Sequence, residues 1–457
     1  MARQKGVTVS PMTKLPPPLD GKVSFDEQAR MDAAEDFGHL LRRAPEGVLR
    51  PGSAEDVAAT VRWAAGHGRR FAAQGNRHSV YGRAQAGDGI VAALRRLRTI
   101  HDVQDDRVVV DAGATWREVL AATLPRGLVP PVLPDHLDLS VGGTVVVGGV
   151  GARTWRSGVV ADTLLELRVV TGRGEQIACS PARNPRLFDA VRAGLGQVAV
   201  VTGATLPLVP APARVRRFLL YYPGLAAMLA DQRLLTGERR FEVVQGSVLA
   251  NPAGGWTFRL DLVKELAGSP PDDTELLAGL ADDRERAEPG TLAYLDYLDR
   301  LAALERALRA NGQWWFPHPW LTTFVGDAAV ETVVAGELAE LTPAALGPLG
   351  QVALSPIPRE SVTSPLLRLP SDRLCYAFNL IRLPPTDDPA VADRLVAANR
   401  DAYERVRDAG GTLYPVSAFP MSPADWRGHF GAAFGPLAEA KDEHDPGRVL
   451  TPGYEVF

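Results

Sequence analysis

A glycine-rich loop with one histidine, Ala72-Ala73-Gln74-Gly75-Asn76-Arg77-His78-Ser79-Val80-Tyr81-Gly82, carries the residue types best suited to chemistry. Glycine allows positive φ angles and lets a ligand approach the backbone closely. Successive backbone N–H groups in such a turn form a concave surface that suits a pyrophosphate, and the imidazole of His78 is a nucleophile. The loop therefore predicts a pyrophosphate-binding turn. The alternative is an ordinary β-turn with a surface histidine.

A carboxylate before a second glycine-rich stretch is the other chemical signal. Asp135 follows Pro134 and precedes Val141-Gly142-Gly143-Thr144. A carboxylate on a partly buried surface can act as a general base. The alternative, which Asp135 alone would favour, is that it caps a turn after the proline. His136 and Asp138 are weaker candidates on the same segment.

The composition indicates a globular protein of two domains. At 457 residues the protein exceeds the usual size of one domain. A net charge of −4 argues against nucleic-acid and anionic-membrane partners. The two cysteines, Cys179 and Cys375, fit neither a disulfide framework nor a zinc site, so no metal is predicted. No apolar run is long enough for a membrane span or a secretory signal, so we expect a cytoplasmic protein.

Strands and helices alternate through residues 45–210. Residues 48–50 read as a strand that enters a helix capped by Ser53, with Asp56 three residues later. The next strand, 71–73, leads directly into the histidine loop. A hairpin is predicted from 164 to 178, around Thr171-Gly172-Arg173-Gly174.

A proline-rich stretch at 207–212 suggests a domain boundary. Beyond it, long helices are predicted over 274–287 and 294–309, between strand-like runs at 256–263 and 374–383. The fold class is therefore α+β. We expect a mobile leader over 1–29, one domain over 30–210 that is completed by 421–457, and a second domain over 211–420 that caps the first.

Several blocks, taken in order, resemble the cytokinin dehydrogenases, within the vanillyl-alcohol-oxidase (PCMH-type) flavoproteins. The resemblance covers most of the sequence. The blocks are Asp36-Phe37-Gly38, Gly75-Asn76-Arg77-His78-Ser79, Pro134-Asp135-His136-Leu137 with Leu139-Ser140-Val141-Gly142-Gly143-Thr144, Gly194-Leu195-Gly196-Gln197, Phe316-Pro317-His318-Pro319-Trp320-Leu321, Asp425-Trp426-Arg427-Gly428-His429-Phe430-Gly431, and Asp445-Pro446 with Pro452-Gly453.

The resemblance implies a two-domain PCMH-type fold with FAD joined covalently to His78 through the flavin 8α-methyl group. The alternative is FAD bound without that link. One departure is Arg77, which stands where the family has glycine and could crowd the loop. The cofactor-binding residues that the resemblance implies are Ala73, Gly75, Asn76, Arg77, His78, Ser79, Arg83, Ser140, Thr144, Val146, Val150, Val201, Thr451 and Tyr454.

The resemblance also implies that Asp135 takes a proton from the exocyclic amine of an N6-isoprenoid adenine. The substrate is oxidised to an imine, which water splits into adenine and an unsaturated aldehyde. The electron acceptor would be a quinone or oxygen. The pocket residues expected from the resemblance are Gln245, His318, Trp320, Val416 and Ser417.

The substrate domain is less faithful to the family than the flavin domain. Gln245 stands where plant members have a glutamate, Val416-Ser417-Ala418 stands where the family has Tyr-Leu-Pro, and Tyr454 replaces a glutamine. These departures favour a first alternative, a tailoring oxidase that acts on an amine or alcohol of a secondary metabolite. A second alternative is a non-catalytic flavin- or ligand-binding protein.

Overall fold

The computed structural model describes residues 19–251, 253–266, 268 and 272–457. The Pro16-Pro17-Pro18 leader lies outside these residues. The described part of the predicted leader contains a strand, Lys22–Ser24, and the start of a helix at Glu27. Lys22–Ser24 pair antiparallel with Val48–Arg50, and Leu19 and Val23 pack against a buried apolar cluster.

Strands and helices alternate in the first half of the sequence, as predicted, and a large antiparallel sheet follows. The strands are β1 Lys22–Ser24, β2 Gly47–Arg50, β3 Arg70–Gln74, β4 Gly89–Ala93, β5 Ile100–Val103, β6 Arg107–Asp111, β7 Leu128–Val129, β8 Glu166–Thr171, β9 Gln176–Cys179, β10 Ala199–Pro207, β11 Val209–Pro210, β12 Arg214–Tyr222, β13 Val243–Ala250, β14 Trp256–Leu266, β15 Glu288–Ala293, β16 Leu321–Gly326, β17 Gln351–Pro358, β18 Leu374–Ile381 and β19 Thr412–Leu413. The helices are α1 Glu27–Ala33, α2 Ala54–Gly66, α3 Trp116–Thr123, α4 Val141–Val147, α5 Thr154–Ser157, α6 Val160–Thr163, α7 Pro185–Val191, α8 Leu225–Glu238, α9 Asp273–Leu276, α10 Tyr294–Leu298, α11 Ala302–Ala310, α12 Val330–Glu340, α13 Pro343–Leu346, α14 Pro389–Asp408, α15 Pro423–Phe430 and α16 Phe434–His444.

The first sheet places the histidine loop. Its four strands lie in the order β1-β2-β4-β3, with β2 and β3 both parallel to β4. Helix α2 connects β2 to β3, and the Ser53 side chain accepts a hydrogen bond from the Asp56 N–H, as predicted. Residues 75–82 therefore follow the carboxyl end of a parallel strand, where ligands commonly bind.

A second sheet, of five antiparallel strands in the order β5-β6-β10-β8-β9, lies next in the sequence. The predicted hairpin is its β8–β9 pair. Helix α4 follows the Asp135 segment and begins at an N-cap, Ser140, whose hydroxyl accepts from the Gly143 N–H. Two backbone hydrogen bonds, from Val141 to Ala114 and from Gly142 to Ala112, fix this helix to the end of β6.

An eight-stranded antiparallel sheet forms the rest of the fold, in the order β15-β12-β14-β13-β17-β18-β16-β19. Its strands run from Arg214 to Leu413, after the proline-rich stretch. The segment after this sheet returns to the first one, where Leu450 forms a parallel bridge with Phe71. The described residues contain no helix that is long and apolar enough to cross a membrane.

Two predicted helices are wrong. The first, over 274–287, ends at Leu276 because Gly279 takes a φ of +77°, and the backbone then leads into β15, which pairs with β12. The second, over 294–309, is split into α10 and α11. Its break coincides with two tertiary ion pairs, Asp299 to Arg117 and Arg300 to Asp135.

Candidate active site

The loop after β3 presents unpaired backbone donors. Among the residues that the structure describes, the N–H groups of residues 76–79 have no hydrogen-bond acceptor. Gly75 must be glycine, because a Cβ there would lie 1.9 Å from Ser140 Oγ. The Asn76 side chain donates to the carbonyl of Asp138 at 2.7 Å, which ties the loop to the Asp135 segment. Four successive free amides form a surface suited to an anionic ligand such as a pyrophosphate.

Arg77, the departure from the family pattern, does not crowd this loop. Its backbone takes a φ of +59°, a conformation that glycine adopts more easily. The exposed guanidinium turns outward and donates to the carbonyl of Asp32. The left-handed backbone at this position is thus kept without glycine, at a cost of about 1–2 kcal/mol.

His78 lies half-buried among aromatic side chains. Phe37 and Trp314 have ring centroids 5.3 and 6.1 Å from its ring, and His136 lies at 4.4 Å. The Nε2 atoms of His78 and His136 are 3.2 Å apart, so one nitrogen donates and the other accepts. Burial and the nearby His136 lower the pKa of His78 to about 3. The neutral imidazole keeps the lone pair that a nucleophile requires.

A buried carboxylate, Asp36, holds the far end of the histidine loop. It accepts hydrogen bonds from the Gly82 N–H at 2.7 Å, the Ser79 hydroxyl at 3.0 Å and the Gly38 N–H at 3.1 Å. Burial raises the pKa of Asp36 to about 6, although these hydrogen bonds act to lower it. The folded protein therefore binds this proton more tightly than the unfolded protein does.

This shift predicts a pH-dependent effect of Asp36→Asn. The stabilisation from protonated Asp36 is complete below the unfolded pKa of 3.8 and is lost as the pH rises through about 6. Relative to wild type, the variant, which stays neutral, should gain about 2 kcal/mol in free energy of unfolding between pH 4 and pH 7. Urea unfolding across that range measures this difference, with the exposed Asp393→Asn as control. A difference that does not change with pH contradicts the assignment.

Asp135 sits in a polar cluster. Its Oδ1 accepts from the Arg300 guanidinium at 2.8 Å and from the Ala152 N–H at 3.2 Å. Its Oδ2 accepts from the Gln245 amide NH2 at 3.1 Å. The next residue in sequence, His136, contacts His78, so the Asp135 segment is linked to the histidine loop.

The other predicted cofactor residues divide by exposure. Ala73, Val146 and Val150 are half-buried, whereas Ser140, Thr144, Val201, Thr451, Tyr454 and Arg83 are buried. The Thr144 hydroxyl accepts a hydrogen bond from the Trp116 indole N–H at 2.9 Å. Thr451 donates to the Gly196 carbonyl at 2.8 Å.

Arg83 has no carboxylate partner among the described residues. It donates to the Phe419 carbonyl at 2.8 Å, and its guanidinium lies 5.2 Å from the Tyr454 ring centroid. Its Nε has no hydrogen-bond acceptor within the ranges that the structure describes. Burial lowers the pKa of this group. A buried cation with an unused donor is suited to an anionic ligand.

The predicted pocket residues are not brought together as one wall. Gln245 joins Asp135, and Val416 is half-buried. His318 stacks on Phe37 at 4.1 Å and contacts its carbonyl through Nδ1 at 2.6 Å. The Trp320 indole donates to the Arg382 carbonyl at 3.0 Å. The Ser417 hydroxyl is buried and donates to the Thr322 carbonyl, so it serves the fold.

The weaker candidates of the Asp135 segment have separate roles. Asp138 forms an ion pair with Arg117, whose guanidinium also binds Asp299. His136, Asp138 and Glu305 each place one potential metal ligand atom within 4.8 Å of the others. Because Arg117 already neutralises Asp138, the arrangement of these side chains does not require a metal.

The sequence did not indicate three site residues. Arg300 binds Asp135, Trp314 lines the side of His78, and the Tyr414 hydroxyl accepts from the N–H groups of Gly149 and Val150 at 3.3 Å. The Arg300 position was hidden by the wrongly predicted continuous helix. The adjacent tryptophans 314 and 315, just before the Pro317-His318-Pro319 block, were the available signal for an aromatic wall.

The free amides of residues 76–79, the glycine at position 75 and the neutral imidazole of His78 fit a flavin dinucleotide. Comparisons with known proteins agree with this assignment. A model of the FAD-binding domain matches residues 45–180, and one described as cytokinin dehydrogenase 1, FAD and cytokinin binding, matches residues 275–457. These matches confirm the predicted two-domain α+β FAD-binding fold.

Relatives match along nearly the whole sequence. An uncharacterised oxidoreductase of the fasciation locus of Rhodococcoides fascians is 38% identical, over 96% of this protein and 99% of its own length. Cytokinin dehydrogenase 8 of Oryza sativa subsp. indica is 34% identical, over 93% of this protein and 90% of its own length. Cytokinin dehydrogenase 1 of Oryza sativa subsp. japonica is 32% identical, over 99% and 95%. The protein is thus an FAD-dependent oxidoreductase that belongs to the cytokinin dehydrogenase family.

Proposed function

We propose that this protein oxidises the C–N bond that joins the isoprenoid group to N6 of an N6-isoprenoid adenine, releasing adenine and an unsaturated aldehyde. The observation that carries the proposal is the half-exposed carboxylate of Asp135, held by three donors on a segment whose next residue, His136, contacts His78. A fixed carboxylate next to the cofactor-binding loop is what removal of an amine proton requires. Family membership supplies the substrate class.

In the proposed reaction, Asp135 accepts the proton of the substrate's N6–H group as the C–N bond becomes C=N. The adjacent carbon loses a hydride in the same oxidation. Bound FAD supplies the two-electron acceptor for that hydride. Water then adds to the imine carbon, and adenine leaves with the nitrogen, which yields the aldehyde. A quinone or oxygen is the proposed final electron acceptor.

We also propose that residues 30–210 and 421–457 together hold FAD, with 211–420 as the substrate cap. Supporting this division, the Lys441 ammonium donates to the Gln197 carbonyl at 2.7 Å, and the Gln197 side chain donates to the Thr451 carbonyl at 3.1 Å. These bonds join the C-terminal segment to the segment before β10. The first two sheets and the C-terminal segment thus share buried contacts.

Covalent attachment of FAD through His78 is part of the proposal. The neutral, nucleophilic ring and its apolar surroundings favour attack on an electrophilic methyl carbon of the flavin. In the His78→Ala variant, all flavin should separate from the protein in acid, whereas wild type should keep it. The absorbance of the acid precipitate and supernatant measures the separation. His101→Ala, at an exposed histidine of β5, is the matched control. Acid-stable flavin on the His78→Ala protein would refute the attachment.

The activity is tested by product analysis. Purified protein is incubated with N6-isopentenyladenine and a quinone, and adenine and the aldehyde are quantified together. Equal amounts of both products are expected. Adenine formation no faster than in a heat-denatured sample would contradict the proposal.

A tailoring oxidase is the second candidate, and one observation favours it. Gln245, which contacts Asp135 at 3.1 Å, replaces the glutamate of plant family members, so the polar group beside the reacting amine differs. Turnover of another amine or an alcohol, without turnover of isopentenyladenine, would select this candidate. No turnover of any donor would favour a flavin- or ligand-binding protein without catalysis.

A further inference from the structure

A single arginine organises the hydrogen bonds around Asp135. One Arg300 nitrogen lies 2.8 Å from Asp135 Oδ1 and 3.2 Å from Gln245 Oε1. The Gln245 amide nitrogen lies 3.1 Å from Asp135 Oδ2. These three contacts close a ring of residues that lie far apart in the sequence.

The orientation of Gln245 follows from the chemistry of arginine. A guanidinium has donors and no acceptor, so it binds only the oxygen of the glutamine amide. The Gln245 oxygen must therefore face Arg300, and its NH2 group must face Asp135. A glutamine held in this way donates permanently to Asp135 Oδ2.

Counting acceptor sites then distinguishes the two carboxylate oxygens. Each ionised carboxylate oxygen offers about two lone-pair sites. Both sites of Oδ1 are used, by Arg300 and by the Ala152 N–H. Among the residues that the structure describes, Oδ2 has one donor, Gln245, and therefore one site left.

The Arg300 guanidinium is more deeply buried than the Asp135 carboxylate that it binds. The Arg300 side chain is 11% exposed and that of Asp135 is 36% exposed. The guanidinium carbon lies 4.7 Å from the Tyr297 ring centroid, so the arginine makes a cation–π contact with this tyrosine. Burial acts to lower the pKa of Arg300, but Tyr297 and the nearby carboxylates raise it by more, so the group stays charged.

We propose that Arg300 is a positioning residue that, through Gln245, leaves Oδ2 of Asp135 as the only oxygen able to receive the substrate proton. This inference rests on the proposed function. It assigns the substrate's N–H to the remaining site of Oδ2.

The test replaces Arg300 with methionine, an unbranched apolar side chain without charge, and with lysine, which keeps the charge. The limiting rate of anaerobic flavin reduction by N6-isopentenyladenine should fall by about 100-fold in Arg300→Met, as expected when a catalytic group is misplaced. Arg300→Lys should recover at least part of that loss. Adenine, measured by calorimetry, should bind wild type and both variants with the same dissociation constant.

Two comparisons separate positioning from general damage. Arg233→Met removes another partly buried arginine, one that pairs with Asp327 at 2.7 Å and has no partner in the Asp135 cluster among the described residues, and should leave the limiting rate within about 3-fold of wild type. In an Asp135→Asn background, Arg300→Met should add little further loss, because the two residues act as one unit. Additive losses, or an unchanged rate in Arg300→Met, would overturn the inference.

Failure of the proposed function gives a different result. If wild type itself is not reduced by isopentenyladenine, the substrate assignment fails, whatever the variants do. If wild type is reduced and Arg300→Met is reduced equally fast, only the role of Arg300 fails.

Discussion

Replacing Asp135 with asparagine is expected to lower the limiting rate of substrate oxidation by about 10²- to 10⁴-fold, the usual contribution of a general base. An amide has no carboxylate to accept the proton. It also sets an NH2 group against the donating amide of Gln245, which now contacts Oδ2 at 3.1 Å. Stopped-flow absorbance of the flavin under anaerobic conditions measures the rate.

The matched control for this variant is Asp138→Asn, three residues further along the same segment. Asp138 forms its ion pair with Arg117 and makes no contact with Asp135 among the described residues. Its replacement should change the rate by less than about 3-fold, as for a site without shared partners. A rate in Asp135→Asn close to that of wild type would show that Asp135 is not the base.

The second large effect is expected on stability, in the Asp445→Asn variant. The Lys441 ammonium and the Asp445 carboxylate are 2.7 Å apart, and their side chains are 2% and 0% exposed. Asp445 also accepts from the N–H groups of Val449 and Leu450 at 2.9 Å. Removing one partner leaves a buried charge without compensation, which costs about 3–5 kcal/mol. Urea unfolding at pH 7, followed by circular dichroism, measures the loss.

Asp442→Asn, on helix α16 beside Lys441, provides the comparison. Asp442 is exposed and lies 3.3 Å from Arg448, so its loss should cost about 0–1 kcal/mol. Equal stability of the two variants would contradict the assignment of the buried pair.

Local sequence signals were sufficient for the elements that carry the loop. The Ser53 cap, strand β3 and the β8–β9 hairpin all depend on residues a few positions apart. The histidine loop was likewise visible, because glycine and small polar residues directly after a strand indicate a ligand-binding turn. The free amides of this loop and its hydrogen bond to the Asp135 segment could not be predicted, because they depend on the three-dimensional arrangement of the backbone.

The Asp135 cluster could not be predicted in full from local signals. Arg300 lies 165 residues from Asp135 in sequence, and the apolar periodicity around it suggested a helix without interruption. Its ion pair with Asp135 lies at the break between α10 and α11, so tertiary electrostatics compete there with local helix propensity. Ser417 differs from Arg300 in that the family resemblance did predict it as a pocket residue. In the structure its hydroxyl donates a hydrogen bond to the backbone of β16.

The central claim, oxidation of an N6-isoprenoid adenine, is tested most directly by an anaerobic absorbance spectrum of the purified protein before and after addition of N6-isopentenyladenine. The claim predicts rapid bleaching of the flavin band, with adenine appearing in the filtrate. An unchanged flavin band, in a protein whose flavin dithionite still reduces, would contradict this substrate assignment while leaving the FAD-binding fold intact.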